Sequence, residues 1–221
     1  MNKKLIAVIV AVVVIIGVVG FIFLNNNQSN SSNTTSTNNN NSASANENNE
    51  STDDTDTNVE TKGDGKVLVL YFSQSGNTET VANFIHDKVG GDIIKLETVK
   101  EYPSDYDELV DYAQDEQRDN RRPELKTKID NIDQYDTIFL GYPNWWGDMP
   151  MPIYTFLDDY DLSGKTIAPF ITHGGSGLSG TPDNIQDEEA NATVTEGLAV
   201  SGSSASSSES TVNEWLSKLG Y

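Results

Sequence analysis

Cysteine is absent from this 221-residue chain, which excludes disulfides, thiolate metal ligands and a cysteine nucleophile. Histidine occurs only at His86 and His173, too few for a metal site built on imidazoles. Basic residues are scarce as well: 14 Lys and Arg stand against 34 Asp and Glu, for a net charge of −20. Residues 66–221 alone carry a net −16. So acidic a surface repels nucleic acid and anionic lipid faces, and a protein partner is expected to present a basic one. The chain also lacks a lysine-bearing P-loop and a G-x-S-x-G nucleophile elbow, and the stretch 73–78 that follows the first apolar run lacks the G-x-G-x-x-G of a dinucleotide fold.

Long apolar runs are confined to one place. Lys3 and Lys4 precede twenty uninterrupted apolar residues, Leu5 to Leu24. As a helix such a run spans roughly 30 Å, the thickness of a bilayer core. The flanking lysines orient it with the rest of the chain extracytoplasmic. A cleaved signal peptide is the competing reading, but the run is long for one and no small-x-small site follows directly. An uncleaved single-pass anchor over 1–24 is therefore expected. Residues 25–65 are almost wholly Asn, Ser, Thr, Asp and Glu, with Val59 the lone large apolar side chain. Such a segment cannot bury enough surface to offset chain entropy and reads as a disordered linker.

Residues 66–221 carry the pattern of a folded domain. Val67 to Phe72 form an apolar run of six, short and rich in Val and aromatics, the mark of a strand buried on both faces. A helix follows, with Val81, Ala82, Phe84, Ile85 and Val89 on its apolar face. Further strands are expected at 92–97, 135–141, 165–171 and 193–200, the last weakened by Gly197. Further helices are expected near 106–119, with Leu109, Val110 and Tyr112 inward, and over 152–160 and 208–219. Strands alternating with helices imply a parallel sheet covered on both sides, with ligands at the carboxyl ends of its strands.

Three unusual loops follow the first, third and fourth strands. The first is Ser73-Gln74-Ser75-Gly76-Asn77-Thr78. Hydroxyls and a glycine at a helix start suit an anion held by side-chain oxygens and free backbone N–H groups. In the plainer reading Asn77 or Thr78 simply caps the helix. Without a lysine the loop fits a phosphate monoester, which points to FMN before ATP or NAD. The second loop, Pro143-Asn144-Trp145-Trp146-Gly147-Asp148-Met149-Pro150, holds adjacent tryptophans. Neighbouring side chains in a loop rarely both reach the core, so one is expected to pack and the other to face a planar ring. The third, Thr172-His173-Gly174-Gly175-Ser176-Gly177 and onward to Gly180, puts four glycines in seven residues, as befits close backbone approach or positive φ. A lone His after a strand reads first as a hydrogen-bonded structural residue. The Ser-rich stretch 201–210 carries little pattern and is expected to be a mobile loop.

These loops resemble, in order, the phosphate loop, the P-x-W-W-G-x-x-P loop and the T/C-H-G-G-S-G loop of flavodoxins. The resemblance spans nearly all of 66–221 and implies a three-layer α/β/α fold with a five-stranded parallel sheet in the order 2-1-3-4-5. It further implies noncovalent FMN, held by the phosphate loop, by Pro143 to Asp148 and by Thr172 to Gly177. Backbone groups of Trp146-Gly147-Asp148 would lie at the N5 edge of the ring and the third loop at its pyrimidine edge. Where many relatives have cysteine this chain has Thr172. The implied activity is electron transfer to a redox partner protein or a small-molecule donor or acceptor, with no side chain acting as nucleophile or acid. An FMN-dependent NAD(P)H:quinone or flavin reductase is one alternative, and a cofactor-free interaction module is the other.

Overall fold

A computed structural model describes residues 65–221. The expected anchor at 5–24 and, apart from Gly65, the expected linker at 25–65 lie outside the described residues. Among the described residues no helix is long and apolar enough to cross a membrane.

The first apolar run forms β1 (Lys66–Tyr71), buried along five of its six residues. Its side chains alternate between two cores. Val67, Val69 and Tyr71 pack with Val81, Ala82, Val212 and Leu216 on one face. Leu68 and Leu70 pack with Ile153, Phe156 and Ile185 on the other. A strand covered on both sides has no polar face, which is why this segment reads as an unbroken apolar run. The chain continues through α1 (Asn77–Val89), β2 (Asp92–Lys95), α2 (Tyr106–Arg118), β3 (Tyr135–Pro143), α3 (Met151–Asp159), β4 (Thr166–His173), α4 (Thr181–Glu188), β5 (Thr193–Val194), β6 (Leu198–Ser201) and α5 (Glu209–Lys218).

All strand pairs are parallel. The sheet order is β2-β1-β3-β4-β5, with β6 also paired to β4. Thus α1 and α5 cover one face, α2, α3 and α4 the other, and the expected three-layer fold and strand order stand. The winding direction reverses between β1 and β3, and the carboxyl ends of those strands frame the crevice where such sheets take ligands.

Four local expectations need correction. The last strand is broken: Thr193–Val194 and Leu198–Ser201 pair with β4 separately, and Thr195 to Gly197 step out between them. The step is packed in place, since a Cβ on Gly197 would meet Leu178 Cδ2 at 3.1 Å, and the indole of Trp215 donates to the Glu196 carbonyl at 3.0 Å. The Ser-rich stretch is not a loop but a short 3-10 helix over Gly202–Ser207, anchored by buried Ala205. Helix α4 has no counterpart in the sequence expectations. And α1 is capped by neither Asn77 nor Thr78: its N-cap is Gly76, left-handed at φ 85°, with no side-chain cap bond.

Candidate functional site

A cavity of about 640 Å³ opens at the carboxyl edge of the sheet, within the size range of small-molecule and cofactor sites. Its polar end is built by Ser75 and Asn77 at the start of α1, Thr172, His173 and Gly174 after β4, and Ser201, Gly202 and Ser203 after β6. Its apolar end is built by Pro143, Trp145 and Trp146 after β3 and by Tyr106, Leu109, Val110 and Ala113 on α2. Asn144 lies in the same lining. No Lys, Arg, Asp or Glu side chain lines it.

Three loops from different strands meet here because polar contacts tie them. Thr78 and Thr172 share a buried hydroxyl–hydroxyl bond of 2.8 Å that links the first loop to the end of β4. Asn144 links the second loop to the third. Its backbone N–H donates to Thr172 O at 2.8 Å, its side-chain amide donates to Gly177 O at 3.1 Å, and its side-chain oxygen accepts from Gly147 N–H. Ser73 is buried, and its Oγ lacks a hydrogen-bond partner within the protein. An orphaned buried hydroxyl is costly unless something else satisfies it.

The paired tryptophans divide their roles. Trp145 packs edge-on against Phe72 and Tyr102, each at 5.4 Å between ring centroids. Trp146 is 53% exposed and its indole N–H donates to the Val110 carbonyl of α2 at 3.1 Å. Trp146 (φ 54°) and Gly147 (φ 80°) are the central residues of a tight turn, closed by two mutual backbone bonds of 3.0 Å between Trp145 and Asp148. Positive φ at both central positions defines a type I′ turn, and holding a tryptophan in that region costs on the order of 1 kcal/mol. The Asp148 carboxylate turns away from the cavity, accepting from Tyr154 Oη and Asn184 Nδ2 at 3.0 Å each.

Of the other expected site residues, Ser73, Gln74, Gly76, Thr78, Gly147, Gly175, Ser176 and Gly177 sit in the three loops without lining the cavity. Gln74 reaches outward toward Pro103 O. His173 accepts from Gly175 N–H at 2.9 Å through Nδ1, a structural tie within its loop. Gly175, Gly177 and Gly180 take positive φ, as the glycine density of that loop implies.

The sequence reading missed the contributions of α2 and of the 201–203 segment. Leu109 and Tyr112 pack against the core as expected, but Leu109 also lines the cavity, and Val110, expected in the core, faces the cavity instead. The deepest residues of α2 are Ala113 and Glu116. The Glu116 carboxylate, 2% exposed, accepts the Tyr102 hydroxyl. Burial raises its pKa above the ordinary carboxylate value, against the opposing pull of the Tyr102 hydroxyl and of the Arg121 and Lys100 charges. A carboxyl whose pKa rises on folding stabilises the fold at acid pH and loses that contribution as pH climbs through the raised value. Glu116→Gln, which keeps an acceptor for Tyr102, is therefore expected to be more stable than the parent at neutral pH by about 1 kcal/mol. The gain should vanish at acid pH. Urea unfolding at several pH values measures both.

A parallel, doubly wound sheet with its cavity at the reversal point, polar at one end and aromatic at the other, defines the class of nucleotide- and cofactor-binding α/β domains. Within that class the assignment is narrower: the family model described as Flavodoxin matches residues 66–219, and the chain belongs to the flavodoxin family. A flavodoxin of Synechocystis sp. is 30% identical over 126 residues, covering 55% of this chain and 58% of that protein. The chain thus spans less than two thirds of the length of that relative. Among solved structures, a protein of Bacteroides eggerthii proposed to be a flavoprotein is 32% identical with a TM-score of 0.63, covering 71% of this chain and 99% of its own. A flavoprotein of Lactobacillus acidophilus, solved in complex with FMN, is 26% identical with a TM-score of 0.56, covering 69% and 99%.

Proposed function

We propose that this domain binds FMN noncovalently in the carboxyl-edge cavity and carries electrons between redox partners. The observation that carries the reading is the division of the cavity into a polar end without formal charge and an aromatic end. The residues suit the group. Ser75, Asn77 and the first N–H groups of α1 offer donors to a phosphate monoester without any cation. A Cβ at Gly76 would meet nothing within 4 Å, so the loop stands open on that side. Trp146, Pro143 and the apolar face of α2 offer a flat surface to the ring system, and Asn144 and the backbone after β4 offer polar contacts to its edges. The similar Lactobacillus acidophilus protein, with FMN bound, supports the choice of ligand.

When bound, the flavin supplies reversible one- and two-electron chemistry. The protein's own part is to hold the phosphate, exclude water from the ring through Trp146 and α2, and surround the site with negative charge that disfavours added electrons. The same charge suits a partner with a basic surface. A nicotinamide dinucleotide would find no lysine or arginine for its phosphates in this cavity, which favours a carrier over a reductase fed by NAD(P)H. The apolar run at 5–24 and the polar stretch at 25–65 support a membrane-tethered, extracytoplasmic form.

The test is a titration of the 221-residue chain with FMN, followed by stepwise anaerobic reduction. Quenched flavin fluorescence at one ligand per chain and two resolved one-electron potentials are expected. No spectral change at micromolar FMN would end this reading.

A further inference from the structure

The three loops account for the polar end of the cavity but not for its apolar end. Tyr106, Leu109, Val110 and Ala113 all line the cavity, and their spacing of i, i+3, i+4 and i+7 makes them one stripe of α2. None belongs to the loops that follow β1, β3 and β4. Along the stripe only Ala113 is buried and only Leu109 packs partly against the core, while Tyr106 and Val110 belong to neither core cluster. Tyr106 is 75% exposed, more than the other exposed large hydrophobics of the described residues, Val99 and Trp146. Two of those three side chains, Tyr106 and Trp146, stand in the lining of a single cavity.

Helix α2 is held rigidly enough to serve as a wall. Asp105 caps it, accepting from Asp107 and Glu108 N–H at 3.0 and 3.1 Å. Glu116 pins its far half through Tyr102. Trp146 is tied to the middle of the helix at the Val110 carbonyl, one turn beyond Tyr106. The aromatic ring of the second loop is thus fixed relative to the helix that carries the tyrosine.

On the reading that FMN occupies the cavity, we infer that α2 is the ring-recognising wall of the site. Tyr106 and Val110, with Trp146, grip the planar uncharged end of the ligand, while the loops at the starts of α1 and after β4 grip its anion. Recognition of ring and of phosphate is therefore separable in this chain. The helix contributes apolar surface only: the carboxylates nearest Tyr106, on Asp105, Asp107 and Glu108, are exposed and do not line the cavity.

The experiment compares the parent chain with Tyr106→Ala, Tyr106→Phe and the double variant Ser75→Ala/Asn77→Ala. Each is titrated with FMN and with lumiflavin, the ring without its phosphate-bearing chain. Dissociation constants and tryptophan fluorescence are the readouts, and thermal melting followed by circular dichroism checks the fold. Tyr106→Ala should weaken both ligands by the same factor, roughly five- to tenfold, the size of a lost aromatic contact, and Tyr106→Phe should recover both. The phosphate-loop variant should weaken FMN alone. Equal affinity of parent and Tyr106→Ala for both ligands, with FMN still bound, would overturn the role of α2 and leave the flavin reading standing. Failure of the parent to bind either ligand would remove both.

Discussion

Gly141→Ala should destabilise the domain by about 2–3 kcal/mol, the range for forcing extra atoms into a well-packed core, and Gly141→Val by more. Gly141 lies in the middle of the buried β3–β4 pairing, directly opposite Phe170. A Cβ built on it would sit 2.1 Å from Phe170 Cζ and 2.3 Å from Cε2, and Phe170 is fully buried. The ring occupies the space a side chain at 141 would need, and its fixed surroundings leave it nowhere to turn. The alternative to a moved ring is a moved strand. Because Pro143 and Thr172 are paired at the end of the same ladder, a shift of β3 against β4 would loosen the Asn144–Thr172 tie and with it the cavity. Urea unfolding followed by tryptophan fluorescence gives the stability change, and the FMN titration shows the second consequence. Phe170→Leu should recover part of the loss when combined with Gly141→Ala, a coupling that a double-mutant cycle isolates. A neutral Gly141→Ala variant would mean that the core yields far more readily than its packing implies.

The elements that were legible in the sequence are those whose burial has one cause. β1, β3 and β4 are covered on both faces, so they read as continuous apolar runs, and their ends fall close to the expected positions. The loops after them were legible because each concentrates residues that are costly elsewhere: hydroxyls before a helix, adjacent tryptophans, dense glycine. Helix α2 shows where this stops. Its apolar stripe at 106, 109, 110 and 113 is visible in the sequence, but periodicity does not say whether a stripe meets a core or a cavity. Tyr102 and Glu116 fill the space beneath the helix, and a glutamate among many acidic residues gives no sign that it will be buried. Helix α4 has one fully buried apolar residue, Ile185, and so no periodicity to detect. Its signal is the Gly180-Thr181-Pro182 start, with proline in the first turn where it is tolerated. The segment 202–207 carries only Ala205 as an anchor. Its glycine is nonetheless informative in the structure, because a Cβ on Gly202 would stand 2.9 Å from Asn77 Nδ2, which brings the last strand against the phosphate loop.

That juxtaposition shapes the second large effect. Ser75→Ala/Asn77→Ala should weaken FMN binding by roughly 100-fold, taking each bond to a charged phosphate as worth about 1.5–3 kcal/mol and allowing for partial replacement by water. Riboflavin, which lacks the phosphate, should bind parent and variant alike, so the two ligands converge in affinity. The cavity supplies no lysine or arginine to hold the phosphate by long-range attraction, and residues 66–221 carry a net −16. At distances beyond the bonds themselves the ligand is therefore repelled. Added salt screens that repulsion while leaving the short, partly buried bonds nearly intact. FMN should accordingly bind more tightly in 0.5 M than in 0.05 M salt, and riboflavin should show no such trend. This is opposite in sign to a site that captures phosphate with basic side chains, where salt weakens binding. Isothermal titration of both flavins across that salt range decides the matter. Loss of FMN affinity with rising salt would place an unrecognised cation at the phosphate and overturn the cradle of hydroxyls and amides.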